Sequence, residues 1–190
     1  TWGAAGNPGA TLYEAQASTD NFATVNFTSR TLMTSATFAA LAQNTTHFLR
    51  VRAVNHNAVG TLYAVSAATA TLAETPTAPG AVLFYSSASL TWGAGGNPSG
   101  TIYRSEISTD NFATINESSR TLNLSTTFFS LAVNTTHYLR VRAEGLSRAT
   151  AFAGPGAAAT KALDPAGAAF GGVHLSSAGL SWTANGNPAG

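Results

Sequence analysis

Four histidines are the first residues to weigh for chemistry in this chain of 190 residues, and two of them recur in one context. His47 and His137 each follow Asn-Thr-Thr and precede an aromatic residue and Leu-Arg-Val-Arg-Ala. Metal ligands and catalytic bases come in clusters, yet neither histidine has a second His or a carboxylate at ligand spacing. Both read as structural residues on the inner face of a strand. His56 has no counterpart 90 residues on, where Leu146 stands, and His174 is isolated. No metal site and no cofactor is expected from them.

The remaining chemical candidates reduce in the same way. Asp20 and Asp110 recur within Ser-Thr-Asp-Asn-Phe-Ala-Thr, where the oxygen-rich spacing of a calcium loop is absent and turn capping suffices. Gly154-Pro155-Gly156-Ala157-Ala158-Ala159 imitates a phosphate loop, but no helical pattern follows it, and Pro155 suits a strand edge or bulge. The chain has no cysteine, which excludes thiolate chemistry and disulfides. No nucleophile elbow or paired carboxylates occur, so the expectation is that the protein is not an enzyme. Arg50 with Arg52 and Arg140 with Arg142 alternate outward along strands, as a cross-strand charge ladder or as a contact face. Asn26, Asn44, Asn116, Asn123 and Asn134 head sequons that would accept a glycan in an exported protein.

These residues sit in a repeat. Trp2, Trp92 and Trp182 are spaced 90 residues apart, as are Asn7-Pro8, Asn97-Pro98 and Asn187-Pro188. Aligning 1–53 with 91–143 gives 35 identities in 53 positions, whereas 54–90 against 144–180 gives 7 in 37. A period of 90 exceeds the roughly 20–50 residues of solenoid units and suits a self-contained domain.

Within the repeat the periodicity is two. His47, Leu49, Val51 and Ala53 share one face, and Phe48, Arg50 and Arg52 the other. Tyr103, Ser105 and Ile107 alternate likewise, Leu90 with Trp92 marks a further strand, and turn signals such as Asn97-Pro98-Ser99-Gly100 separate them. No helical stripe is present, so the expected class is all-β.

Charged residues are 9% and the net charge is +1, so there is no basic surface for nucleic acid and no anionic-membrane patch. No apolar run is long enough to insert in a membrane. Beginning at Thr1, the chain reads as a piece of a longer polypeptide.

Trp on the second strand, the Tyr-containing strand, Ser-Thr-Asp and the block from Leu131 through Asn-Thr-Thr-His to Arg-Val-Arg-Ala143 resemble the fibronectin type III domain across essentially the whole chain. The resemblance implies tandem immunoglobulin-like β-sandwiches in a bacterial-type surface or extracellular array. Each sandwich would pack strands A-B-E on G-F-C-C′, around a core that includes Trp2, Trp92, Trp182, Leu41, Leu131, His47 and His137. One departure is visible: the family's tyrosine corner is occupied by His47 and His137, so its hydrogen bond must come from imidazole or be lost.

The expected organisation is 1–77, a unit lacking strand A and most of B; 78–164, a complete unit; and 165–190, strands A and B of a third. The first unit should expose Phe38, Leu41 and unpaired strand edges. Its missing strands match the segment from about Ala166 to Trp182. The expected role is therefore a structural segment of an extracellular or cell-surface fibre, stalk or adhesive filament, with other copies or neighbouring repeats as partners end to end. Two alternatives stand beside it. One is a ligand- or glycan-binding module using the F–G regions (Val54 to Val65, Glu144 to Pro155). The other is a spacer from a secreted carbohydrate-active enzyme.

Overall fold

The computed structural model describes residues 1–188; Ala189 and Gly190, the end of the expected 165–190 segment, lie outside the described residues. None of the described residues is helical. The chain divides into two compact units. The first comprises Thr1–Glu74 with the loops Gly96–Thr101 and Gly145–Ala149, and the second Thr75–Gly95, Ile102–Glu144 and the chain from Thr150 onward.

The first unit holds β1 (Leu12–Ser18), β2 (Phe27–Thr31), β3 (Thr46–Val54), β4 (Ala64–Val65) and β5 (Thr69–Ala70). They form one antiparallel sheet in the order β2-β1-β3-β4, with β5 paired to the start of β3. Alternation places Tyr13, Ala15 and Ala17 on the apolar face, where they are buried. Opposite them in register are Ala53, Val51 and Leu49 on β3, which are only half-buried. Among the described residues, no second strand pair covers this face.

The second unit carries β6 (Thr77–Leu83), β7 (Ala88–Gly93), β8 (Ile102–Ser108), β9 (Glu117–Thr121), β10 (Ser125–Phe128), β11 (Thr136–Glu144) and β12 (Ala153–Ala159). Two sheets, β10-β7-β6 and β12-β11-β8-β9, make the sandwich. This is the A-B-E on G-F-C-C′ arrangement that the resemblance implied. Leu90 and Phe128 from one sheet and Ile107, Leu139 and Val141 from the other are buried to 1% exposure or less. Trp92 is 5% exposed, its ring centroid 5.7 Å from that of Tyr103. The β11–β12 register shifts between Leu139 and Val141, where a Cβ on Gly154 would strike the Leu139 carbonyl. Only glycine fits there, and Pro155 sits beside it on an edge strand, where a missing N–H does no harm.

The rest of the second unit is β13 (Ala166–Val173) paired with β14 (Ala178–Thr183), a two-stranded sheet. Leu180 and Trp182, which align with Leu90 and Trp92, are 56% and 59% exposed. Trp182 is therefore not a core residue as expected. Its chemistry is that of Trp92, but no opposing sheet meets it. Trp2, Leu41 and Leu131 are half-buried, and His47 and His137 are buried.

Candidate functional site

The repeated histidines reach no ligand. His47 Nε2 lies 3.4 Å from the Ala42 carbonyl, a long contact, and neither ring nitrogen of His137 has a hydrogen-bond partner. The corner bond is thus weak in one repeat and lost in the other. Burial pushes the His137 pKa down. His56 is exposed in the loop after β3, and His174 is exposed in the turn between β13 and β14. Among the described residues, no three His, Asp or Glu side chains converge as a metal site.

Asp20 and Asp110 act as turn caps. Asp110 accepts Thr114 Oγ1 at 2.6 Å, the Thr114 N–H at 2.9 Å and Ser108 Oγ at 2.7 Å, and Asp20 repeats the set with Thr24 and Ser18. Those bonds, led by the threonine hydroxyl, hold each carboxyl at about 2. The same turn keeps Phe22 and Phe112 at φ +67° and +66°, a left-handed conformation that a bulky residue rarely adopts. The Phe112 N–H donates to Ser108 Oγ at 2.9 Å, and the strained residue aims its ring at Arg140, 3.9 Å from the guanidinium carbon.

That ring belongs to a ladder of arginines and aromatics. Arg140 lies against both Phe112 and Phe152, and Arg50 against Phe22 (4.2 Å) and Tyr63 (4.0 Å). The acids complete it differently in each unit. Glu14, 3% exposed, accepts Arg30 Nη2 and Arg52 Nη2 at 2.6 Å and the Tyr63 hydroxyl at 2.8 Å. Burial would raise its pKa, but bonds from Arg30, Tyr63 and Arg52 outweigh burial and lower it. In the second repeat Arg104 replaces Glu14, and the equivalent arginines, Arg120 and Arg142, pair with Glu144 instead. Arg140 turns to Glu106, where Arg50 uses Gln16. Each arginine of the two half-buried pairs has an acid or amide partner in its own unit, so the pairs are internal ties. The aromatic members were missed in sequence. Tyr63 and Phe152 are not at matching repeat positions, and Phe22 and Phe112 stand in a turn, outside any alternating strand.

Two features are left unsatisfied. One is the apolar face of the first unit. Phe38, Leu49 and Val51 are half-buried, whereas Phe128, Leu139 and Val141 at the matching positions are no more than 1% exposed. Leu41 is half-buried. Trp2, Phe38, Leu49, Val51 and Val65 line a groove of about 310 Å³ on this face. The residues from Ser35 to Phe38 form no strand, although Ser125–Phe128 does where β7 pairs with it. The other is a cleft of about 730 Å³ lined by Asn7, Arg30, Arg52, Asn55, His56 and Thr61 among others.

Asparagines of the Asn-Pro turns grip the backbone. Asn97 Oδ1 accepts the Glu74 N–H at 2.8 Å, and its Nδ2 donates to the Glu74 carbonyl at 2.7 Å. Asn187 does the same to Leu163, at 2.8 and 2.7 Å. In each case the gripped residue leads into a strand pair, and the asparagine follows that pair. Of the sequon residues, Asn44 is 7% exposed and its amide is spent on Thr101 Oγ1 (3.0 Å) and the Leu146 N–H (2.7 Å), so it offers no acceptor for a glycan. Asn26, Asn116, Asn123 and Asn134 are exposed.

No family model matches this chain. No curated protein matches it either. Solved structures do. A segment of two fibronectin type III domains from chicken tenascin superposes with a TM-score of 0.60 at 12% identity, covering 78% of this chain and 84% of that one. The FN1–FN3 domains of chicken CNTN1 give 0.44 at 16% identity; 80% of this chain is covered but only 56% of that one. The sixth fibronectin type III domain of the human fibronectin type III domain containing protein 3 gives 0.42 at 22%, covering 49% of this chain and 90% of that one. The fold is that of fibronectin type III domains, and at these identities the likeness speaks for fold alone.

Proposed function

We propose that the chain is a structural repeat segment of an extracellular or cell-surface fibre, stalk or adhesive filament whose units add head to tail. One observation carries the reading: the Asn97 grip on Glu74 recurs as the Asn187 grip on Leu163. A bidentate amide clamp at the base of each hairpin orders the backbone that enters it, a local device repeated with the period of the chain, as suits a structural repeat. The ladder supports it, since its arginines are tied to acids and rings of their own unit. The test is X-ray scattering on covalent arrays of one, two and three 90-residue periods. A stalk lengthens by a constant increment per period. Growth as the square root of period number would overturn the reading.

A second reading, a ligand- or glycan-binding module, rests on the 730 Å³ cleft beside Asn55 and His56. The matching loop of the second repeat is occupied, since Ser147 Oγ donates to the Ala70 carbonyl at 2.9 Å and the Leu146 N–H to Asn44. A glycan array would decide it: binding lost on Asn55→Ala supports the module, and no binding removes it.

A further inference from the structure

We infer that the loop Gly145–Ala149 is a latch closed on the segment Ala70–Glu74, and that the Asn44 amide is its bolt, whose removal opens the loop; this goes beyond the array reading, which stands on Asn97 and Asn187. All the parts belong to the first unit, which takes in this loop and the turn Gly96–Thr101.

The base of the loop is common to both repeats, and the top is not. The Ala53 N–H donates to Thr61 Oγ1 at 3.2 Å, and the Ala143 N–H donates to Thr150 Oγ1 at 3.1 Å. Above that base the first loop folds on itself, because Asn55 Oδ1 accepts the Asn57 and Val59 N–H groups at 3.0 and 2.9 Å. Gly145 stands at the position of Asn55 and has no side chain to repeat this cap. The anchor comes from far along the chain instead. The Leu146 N–H donates to Asn44 Oδ1 at 2.7 Å, and Ser147 Oγ donates to the Ala70 carbonyl at 2.9 Å.

Asn44 is placed to hold this loop shut. It is 7% exposed, and its Nδ2 donates to Thr101 Oγ1 at 3.0 Å. That buried hydroxyl donates in turn to the Pro98 carbonyl at 2.9 Å. One amide thus meets its donor and acceptor needs on two loops, and a buried amide stripped of either partner carries an uncompensated desolvation cost. The Asn44 backbone is fixed independently, since its N–H donates to the Leu72 carbonyl at 3.1 Å. Gly145 supplies the other half of the fit. A Cβ there would come within 2.8 Å of the Ala73 Cβ and 2.6 Å of the Arg148 carbonyl, so only glycine lets the loop close this far.

The second Asn-Thr-Thr-His gives an internal control. Asn44 and Asn134 hold φ +45° and +47°, and the Asn134 N–H donates to the Lys161 carbonyl at 3.2 Å, as that of Asn44 does to Leu72. The Asn134 side chain is exposed. Alanine meets the same left-handed backbone at either site. A difference between the two variants therefore reads the side-chain bonds alone.

Arg148 puts a trypsin site inside the loop, so limited proteolysis of the full chain reads the latch directly. Cleavage after Arg148 is followed by mass spectrometry under native conditions. Asn44→Ala should speed it about tenfold, the effect of losing one or two net hydrogen bonds on a local opening. Asn134→Ala should leave it unchanged. Gly145→Ala should open the loop with Asn44 intact, by the clash with Ala73 and Arg148. Cleavage after Arg50 in β3 and Arg140 in β11 reports general unfolding and should stay at the parent rate. The latch is refuted if neither Asn44→Ala nor Gly145→Ala exposes Arg148 selectively over Arg50 and Arg140. It is refuted equally if Asn134→Ala exposes Arg148 as Asn44→Ala does. The scattering of parent-sequence arrays is a separate measurement, so the two readings fail separately.

Discussion

Asn97 holds Glu74 by both its N–H and its C=O, at 2.8 and 2.7 Å, with one side chain 7% exposed. An amide is the one uncharged side chain with a donor and an acceptor spaced for this task. The Pro98 that follows presets the turn, closed by the Thr101 N–H on the Pro98 carbonyl at 3.2 Å.

Asn97→Ala should free the Glu74 amide. A hydrogen bond of about 1 kcal/mol net corresponds to roughly a fivefold rise in its hydrogen exchange rate. Asn97→Asp should restore the acceptor but not the donor, with an intermediate rate. Exchange mass spectrometry over residues 70 to 78 is the measurement, and no change in Asn97→Ala would refute the clamp.

Trp92→Ala should cost about 3–5 kcal/mol, as expected for emptying a packed aromatic site. Trp92→Phe should cost far less. The indole N–H is buried without a partner, and phenylalanine removes that unmet donor while keeping most of the ring. Urea unfolding of both variants checks the order.

The two ladders make a swap testable. Glu14→Gln leaves Arg30 and Arg52 without their acid and should destabilise the first unit by about 1–3 kcal/mol. Val54→Glu, which places an acid where the second repeat has Glu144, should recover most of that loss. A double variant no better than Glu14→Gln would show that the two arrangements are not equivalent.

Acid should expose the turn caps. Asp20 and Asp110 have pKa values depressed to about 2 from the ordinary 3.8, so the stability they contribute is present above 3.8 and lost as pH falls through 2. The double variant with Asn at both positions should flatten the acid limb of stability between pH 4 and pH 2.

His137 acts at a higher pH. Burial favours its neutral form, so the folded state binds a proton less readily than the unfolded chain, and stability should decline as pH drops below 6.5. His137→Gln should remove that dependence. An identical pH profile in the variant would assign the decline to another group.

The sequence by itself determined the class of fold and most of its inner faces. Period-two alternation is a local property, so spacing alone could place Tyr103 and Ile107 on one face of their strand, and both are buried. The turn role of Asp110 was legible for the same reason, since its partners Ser108 and Thr114 lie within four residues.

Tertiary structure decided what depends on a distant partner. Leu90 and Leu180 are the same residue in the same repeat position, yet one is fully buried and the other 56% exposed. No local pattern separates them, because burial is conferred by the opposing sheet. The ladders are similar: Arg52 and Arg142 stand in the same Leu-Arg-Val-Arg-Ala, but the acid of Arg52 is Glu14 on an adjacent strand, whereas that of Arg142 is Glu144, two residues on, where the first repeat has Val54. Asn44 and Asn134 begin the same Asn-Thr-Thr-His, and only the first has Thr101 and Leu146 brought to its amide, which buries it. Repetition specifies what each residue can do; the strands that reach it in space decide whether it does.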